Sequence, residues 1–390
     1  MDPQRRREAA GDDRGPQAVA ALAGAGCVEA GERATSQRLP GLGAPGGPGP
    51  AGRGGHRAAG AGLRGGGGAG LAARAQRGLA RVHLRPAVRR VAGGSRRGPG
   101  VRPGLRPRLD ALVEAVDVPA RLARDPVRFV HRYSDDADRE VAAVLASTLA
   151  YGRVQAFSVV LERLFALADA AGGPRAWVQG FDPGRDGAAL RPLGYRFNRG
   201  IDWILLLSAL QAAYRRVDTL EALLPAEQPL PEALSALVDA IRGDAIRAAP
   251  VVGLDAASFA ELPRGLRTLL PRPADGSATK RWWMFLRWMV RRPTLGIDLG
   301  MWRTRSPAEL LVPLDTHVLR ISGFLGLTSR RDGSLRTARE VTRALAHLDP
   351  LDPVRYDFAI AHLGISGACR GHRQPEVCRA CPLDQVCTAG

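Results

Sequence analysis

The sequence predicts an all-α fold, and three observations carry that expectation. From about Leu109 onward apolar residues recur at helical spacing, Pro and Gly breaks separate these runs, and no segment alternates apolar and polar residues as a half-buried strand would. Helices are expected near 109–124, 136–150 and 154–171, before the Gly172-Gly173-Pro174 break. Further runs near 201–215, 218–224 and 230–243 lie between Gly200 and Gly243, with Pro225 and Pro229 as breaks. A run near 277–291 ends before Pro293, and a short one near 307–311 begins at Pro307. The last runs, near 315–325, 335–347 and 353–364, are separated by Gly326 and Pro350. The longest apolar run, Ile204 to Leu207 with its neighbours, is far too short to cross a bilayer.

Ahead of this core, residues 1–108 are mostly Gly, Ala, Arg and Pro, with 20 arginines, no lysine and six acids. Such a stretch cannot bury enough apolar surface to offset its ordering entropy, so it is expected to be disordered. The remaining 282 residues carry 36 basic and 32 acidic groups, so the net charge of +18 belongs mainly to the tail. The tail reads in two ways: as a basic arm holding nucleic acid through phosphates, or as translated GC-rich DNA upstream of a mis-assigned start.

Four of the five cysteines, Cys369, Cys378, Cys381 and Cys387, fall within the last 22 residues. Thiolates packed so closely in one segment can close around one inorganic centre. A [4Fe-4S] cluster suits the spacing, with Pro382 after Cys381; a structural zinc, which usually shows two separated Cys-x-x-Cys knuckles, suits it less. A disulfide pair is disfavoured, because no charged start and sustained apolar stretch marks export, and a cytoplasmic location is expected.

Among 56 basic residues only Lys280 is a lysine. Arginine cannot replace lysine as a nucleophile, whereas an amine attacking a sugar carbon to give a Schiff base needs one. Asp275, Gly276, Ser277, Ala278 and Thr279 form a plausible cap that puts Lys280 in the first turn of the following helix. The positive end of that helix, with Arg281 adjacent, would enlarge the neutral fraction of the amine. The bland alternative is a surface lysine that touches phosphate. Along the same helix Trp282, Phe285 and Met289 share a face that reads as core, while Lys280, Arg287 and Arg291 share a basic face that could meet a phosphodiester backbone.

Upstream of the cysteines stands Val312-Pro313-Leu314-Asp315-Thr316-His317-Val318. This segment resembles the Pro-Val-Asp-Thr-His-Val stretch of the endonuclease III-type helix-hairpin-helix DNA glycosylases. The cysteine tail resembles that family's iron-sulfur loop, down to the Cys381-Pro382-Leu383 run. The resemblance covers roughly Leu109 to Cys387 and is nearest to an uncharacterised bacterial branch, with spacing similar to the archaeal oxoguanine glycosylases.

The resemblance implies a helical barrel over 133–316 carrying Lys280 and Asp315, and an iron-sulfur module made of 109–132 and 317–390, with a cleft between them. It implies a monomer acting on double-stranded DNA near the nucleoid, in base-excision repair, as a DNA glycosylase with AP lyase activity. Asp315 would match the aspartate that deprotonates the nucleophile and stabilises the cationic sugar, although a helix N-cap alone would also explain it. Lys280 would match the Schiff-base lysine, and Cys369, Cys378, Cys381 and Cys387 the cluster ligands. Arg370, Arg373 and Arg379 would meet phosphates near the cluster. The other expectation is a nucleic-acid-binding protein that keeps fold and cluster without catalysis.

The sequence also departs from the family. The tight glycine-rich hairpin before the lysine is enlarged here, Lys280 stands 35 positions before Asp315, and the first cysteine gap is longer. Gly276, Ser277 and Thr279 could still offer amides to a phosphate at the helix start. At Ala146 to Arg153, where the family has a glutamine that fills the hole left by a flipped base, this chain has Leu149. Tyr151 beside it reads either as a stacking residue in the duplex or as core.

Overall fold

The structure is a computed structural model that describes residues 102–389, all within one compact unit. Among these residues there is no β-strand, only two isolated bridges, Tyr195 with Asn198 and Ser277 with Ser334. The all-α expectation holds there, and most of the tail lies outside the described residues. Its expected end at residue 108 falls too late: α1, Leu105–Glu114, starts earlier and buries Leu105 completely. The expected helix near 109–124 is two helices, because Asp117 accepts from Ala120 N–H and Pro119 sits in the first turn of α2, Val118–Leu122.

Two helices form the centre. In α3, Asp136–Leu149, every residue from Glu140 to Leu149 is buried, and Asp135 caps the start by accepting from the amides of Ala137 and Asp138. Around it pack the 3-10 turn Pro126–Arg132, α4 (Val154–Ala170), α5 (Pro174–Gln179) and α10 (Lys280–Val290). In α7, Gly200–Tyr214, apolar residues occupy all sides, as a helix enclosed by others requires. It lies among α5, α6 (Pro183–Leu190), α8 (Leu230–Ala248) and α9 (Arg264–Leu269).

The C-terminal part follows the same logic. Helix α11, Thr316–Phe324, packs on α13, Asp357–Ile365, which also meets α1. The sequence ends of the described region join directly, since Arg102 donates to the Val386 carbonyl at 2.7 Å and Thr388 N–H to the Phe324 carbonyl at 3.1 Å. Between them come α12, Leu335–Ala346, and the short α14, Pro375–Cys378.

Helices α5, α6 and α9 were not expected, because α5 and α6 open at a proline and α9 directly follows Pro263, each of which reads as a break; proline is in fact favoured in a first turn, as in α5 and α6. The stretches near 218–224 and 307–311 are 3-10 turns, Leu220–Leu223 and Pro307–Glu309. No helix among the described residues is long and apolar enough to cross a membrane.

Candidate active site

Lys280 is the first residue of α10, and Asp315 is the N-cap of α11. Lys280 Nζ lies 3.1 Å from Asp315 Oδ2, and both side chains are partly accessible. Asp315 Oδ1 accepts from His317 N–H at 2.9 Å and Val318 N–H at 2.8 Å. Burial alone would raise the Asp315 carboxyl, but the Lys280 charge, the Val318 amide and His317 outweigh it and leave it below its ordinary value. Asp315 is therefore anionic at neutral pH, oriented by one oxygen and engaged with the amine through the other.

The backbone entering Lys280 is strained. Thr279 has φ 42° and ψ 42°, a left-handed conformation that costs a β-branched residue roughly 1–3 kcal/mol, and its buried hydroxyl has no partner. Gly276, with φ 77°, turns the chain just before it. Gly276 and Ser277 are exposed as a phosphate contact would need. Two expected amides are already used, however: Gly276 N–H donates to the Pro273 carbonyl at 2.8 Å and Thr279 N–H to Ser277 Oγ at 3.2 Å.

The basic face expected on α10 is not a surface. Arg287 and Arg291 are 3% and 5% exposed. Arg287 pairs with Asp298 at 3.2 Å and Asp357 at 2.9 Å, while Arg291 pairs with Asp298 at 2.6 Å and Asp352 at 2.8 Å. Helical periodicity correctly put the arginines together, but acids from three later segments cover them. Arg281 is likewise committed inward, donating to the carbonyls of Thr148 and Thr268, and burial lowers its guanidinium to about 10. These three arginines are thus unavailable to phosphate in this conformation.

Asp357 is the acidic group that the sequence reading missed. It is 5% exposed, one oxygen holds Arg287, and the other, Oδ1, is buried without a partner. Burial raises its carboxyl to about 6; Arg287 and Lys280 oppose this, while the Asp315 charge adds to it. Around it three carboxylates, those of Asp298, Asp352 and Asp357, share the guanidiniums of Arg287 and Arg291. No motif marks Asp357 in the sequence.

Tyr151 is half-buried rather than presented. Its hydroxyl donates to the Asn198 side chain, its ring meets Tyr195 edge-on at 5.1 Å, and the Arg281 guanidinium lies 5.0 Å from its centre. The neighbouring aromatic that does reach solvent is Phe197, 42% exposed. It sits at the tip of a two-residue turn closed by Tyr195 N–H to Asn198 O at 3.0 Å and Asn198 N–H to Tyr195 O at 2.8 Å. Arg196 takes φ 51° there, and Arg264 stacks on the Phe197 ring at 4.3 Å. Gly265 permits this approach, because a Cβ would strike the Asp202 carboxylate and the Phe197 carbonyl. Exposure, not composition, identifies Phe197.

Cys369, Cys378, Cys381 and Cys387 all line one cavity, open to the surface, together with Arg370, His372 and Arg373. Burial first, then the neighbouring thiols, raise Cys381 and Cys387 above the usual thiol range. Backbone amides already point at sulfur: Gln374 N–H at 3.3 Å from Cys378 Sγ and Ala389 N–H at 3.4 Å from Cys387 Sγ. Four soft donors around one cavity, with N–H groups aimed at the sulfurs, fit a thiolate-bound inorganic centre. Among the described residues no three His, Cys, Asp or Glu side chains stand at the spacing of ligands to a single ion. Arg370, Arg373 and Arg379 are exposed nearby, with Arg373 paired to Asp384 at 2.7 Å.

Neither the curated proteins nor the solved structures yield a match. Residues 125–366 match the model of a family described as "Protein of unknown function (DUF2400)", a span that includes Lys280 and Asp315 and stops before Cys369. With well over half its length matched, the chain belongs to the DUF2400 family.

Proposed function

We propose that this protein is a DNA glycosylase with lyase activity, and the observation that carries the reading is the 3.1 Å approach of Lys280 Nζ to Asp315 Oδ2. At that distance the carboxylate can take a proton from the ammonium as the amine engages a sugar carbon. The nitrogen lone pair forms a bond to the anomeric carbon, the bond from that carbon to the base breaks, and the base leaves with the electron pair. Asp315, with Oδ1 held by two amides, stays fixed as positive charge builds on the sugar. The nitrogen lone pair then breaks the bond from C1′ to O4′, Asp315 relaying a proton from the nitrogen to O4′, so the ring opens to a protonated imine with a hydroxyl on C4′; removal of a C2′ proton then expels the 3′ phosphate.

A base inside a duplex cannot reach a half-accessible lysine, so the nucleotide has to leave the stack. The cleft would lie between a barrel near 133–316 and a module of 109–132 with 317–390, and Asp315 stands at that junction. Phe197 would occupy the gap in the stack, one of the two roles the sequence left open for Tyr151. Cys369, Cys378, Cys381 and Cys387 would hold a [4Fe-4S] cluster, whose contribution when bound is to fix the C-terminal loop and aim Arg370 and Arg379 at phosphates.

The test is borohydride reduction in the presence of duplexes bearing abasic sites or damaged bases. A covalent protein–DNA product that disappears in Lys280→Ala supports the reading. Unimpaired duplex binding with no trapping on any substrate would support the binding-only alternative instead.

A further inference from the structure

We propose that the exposed face of α12 is a phosphate-binding surface for double-stranded DNA, bordering the Lys280–Asp315 site; this rests on the nucleic-acid reading above. Helix α12 buries Thr337, Ala338, Val341, Thr342 and Leu345 on one side. On the other side Arg336, Arg339, Arg343 and His347 are exposed at helical spacings of three and four residues, so they form one stripe.

The position of the helix is what connects this stripe with the candidate site. Leu335 N–H donates to the Gly276 carbonyl at 3.1 Å, and Ser334 bridges Ser277, so the start of α12 is fixed to the turn that delivers Lys280. Two helical turns further on, Thr342 Oγ1 accepts from Val312 N–H at 2.9 Å, fixing the helix to the segment that delivers Asp315. The same helix therefore braces both approaches.

The charge arrangement serves helix stability only at its C-terminal end, where Arg343 in the last turn suits the dipole. Arg336 lies in the first turn, where the helix dipole disfavours a cation, and that turn contains no acidic residue. Of the nearby acids, Glu232 pairs with Arg339 at 3.2 Å, Asp332 with Arg330 at 3.0 Å, and Glu340 accepts from Thr328. Among the described residues Arg336 and Arg343 enter no ion pair, and Arg331 is exposed beside them. Arg336 and Arg343 are separated by roughly 10 Å along the axis at about 1.5 Å per residue, a span that crosses several charges of a duplex carrying one per ~1.7 Å. A row of exposed guanidiniums, with Arg336 and Arg343 unpaired on either side of Arg339, flanks the exposed Gly276 turn and suits a polyanion that passes over Lys280. This surface takes the place of the Arg287–Arg291 face.

The experiment measures duplex affinity of the full-length chain against salt concentration, beside borohydride trapping. Arg336→Gln with Arg343→Gln should reduce the slope of log affinity against log salt by about 1–2, at ~0.9 per lost phosphate contact, and weaken low-salt binding about tenfold or more. Arg336→Lys with Arg343→Lys should restore the slope, and thermal unfolding should be unchanged in both. An unchanged slope in the Gln variant overturns the proposal, as does a slope lost on structured RNA but kept on duplex DNA. Trapping absent in the parent while the slope still responds overturns the glycosylase reading and leaves this surface standing. Trapping intact with an unresponsive slope does the reverse.

Discussion

Asp315 holds Lys280 with one oxygen and its own helix with the other. Oδ2 is 3.1 Å from Lys280 Nζ, while Oδ1 accepts the amides of His317 and Val318. These two roles can be separated, because asparagine caps a helix about as well as aspartate but cannot take the proton. Asp315→Asn should therefore lower the single-turnover rate by about 10²-fold or more with little change in melting temperature. Asp315→Ala should lose the same activity and about 1 kcal/mol of stability as well. An Asn variant that keeps the parental rate would remove Asp315 from the chemistry.

Asp357 and Asp315 should impose opposite pH dependences on stability. Asp315 is held below its ordinary value, so its contribution is present above the unfolded carboxylate range and disappears as pH falls through the folded value. Asp357 is raised to about 6 by burial, so the folded state binds a proton that the unfolded state has released. Its stabilisation is complete below about pH 4, the unfolded range, and is lost as pH rises through 6, on the order of 2–3 kcal/mol. Denaturant titrations of the parent and Asp357→Asn between pH 4 and 7 test this. The difference between the two proteins should change by that amount across the window, and a pH-independent difference would refute it.

What the sequence made legible depended on whether identity or surroundings define a residue's role. Lys280 and Asp315 stood out by identity, one as the sole lysine and the other within a recognisable segment, and they meet. Arg287 and Arg291 were legible as a pair on one helical face, but not as buried, because Asp298 and Asp352 reach them from loops and Asp357 from the start of α13, along paths periodicity does not describe. That Tyr151 is half-buried and Phe197 reaches solvent was not legible for a similar reason. The Tyr195–Asn198 turn covers the first and projects the second, and two-residue turns leave little trace in apolar patterning.

Phe197 gives a third prediction. Phe197 is 42% exposed with Arg264 over its ring, so Phe197→Ala should cost about 1–2 kcal/mol of stability, less than truncation of a fully buried phenylalanine. If the ring fills the space of an extruded nucleotide, the same change should weaken binding to lesion-bearing duplex, at about 1–3 kcal/mol for a lost base–aromatic stack. Phe197→Trp should retain it. Fluorescence of 2-aminopurine opposite the lesion reports the event directly, since unstacking brightens the probe. Equal signals from the parent and the Ala variant would exclude insertion by this ring.

The cysteine cavity predicts a pH-sensitive metal site. Burial and mutual proximity hold Cys381 and Cys387 above the usual thiol range, so these two thiols resist ionisation until a cation accepts their charge. Metal uptake must then release protons, and retention should fall steeply as pH is lowered. Protein purified without oxygen should show a broad visible absorbance with iron and acid-labile sulfide in about equal amounts, and Cys381→Ser should lose most of it. Loss of the centre should also lower the melting temperature, because the segment from Cys369 to Cys387 is anchored otherwise by few bonds, including Thr388 N–H to the Phe324 carbonyl and the Arg320 donation to the Cys369 carbonyl at 3.1 Å. Colourless protein that carries stoichiometric zinc would overturn the cluster while keeping the four ligands. Full stability and no metal of either kind, unchanged in Cys381→Ser, would show that the four thiols serve packing alone.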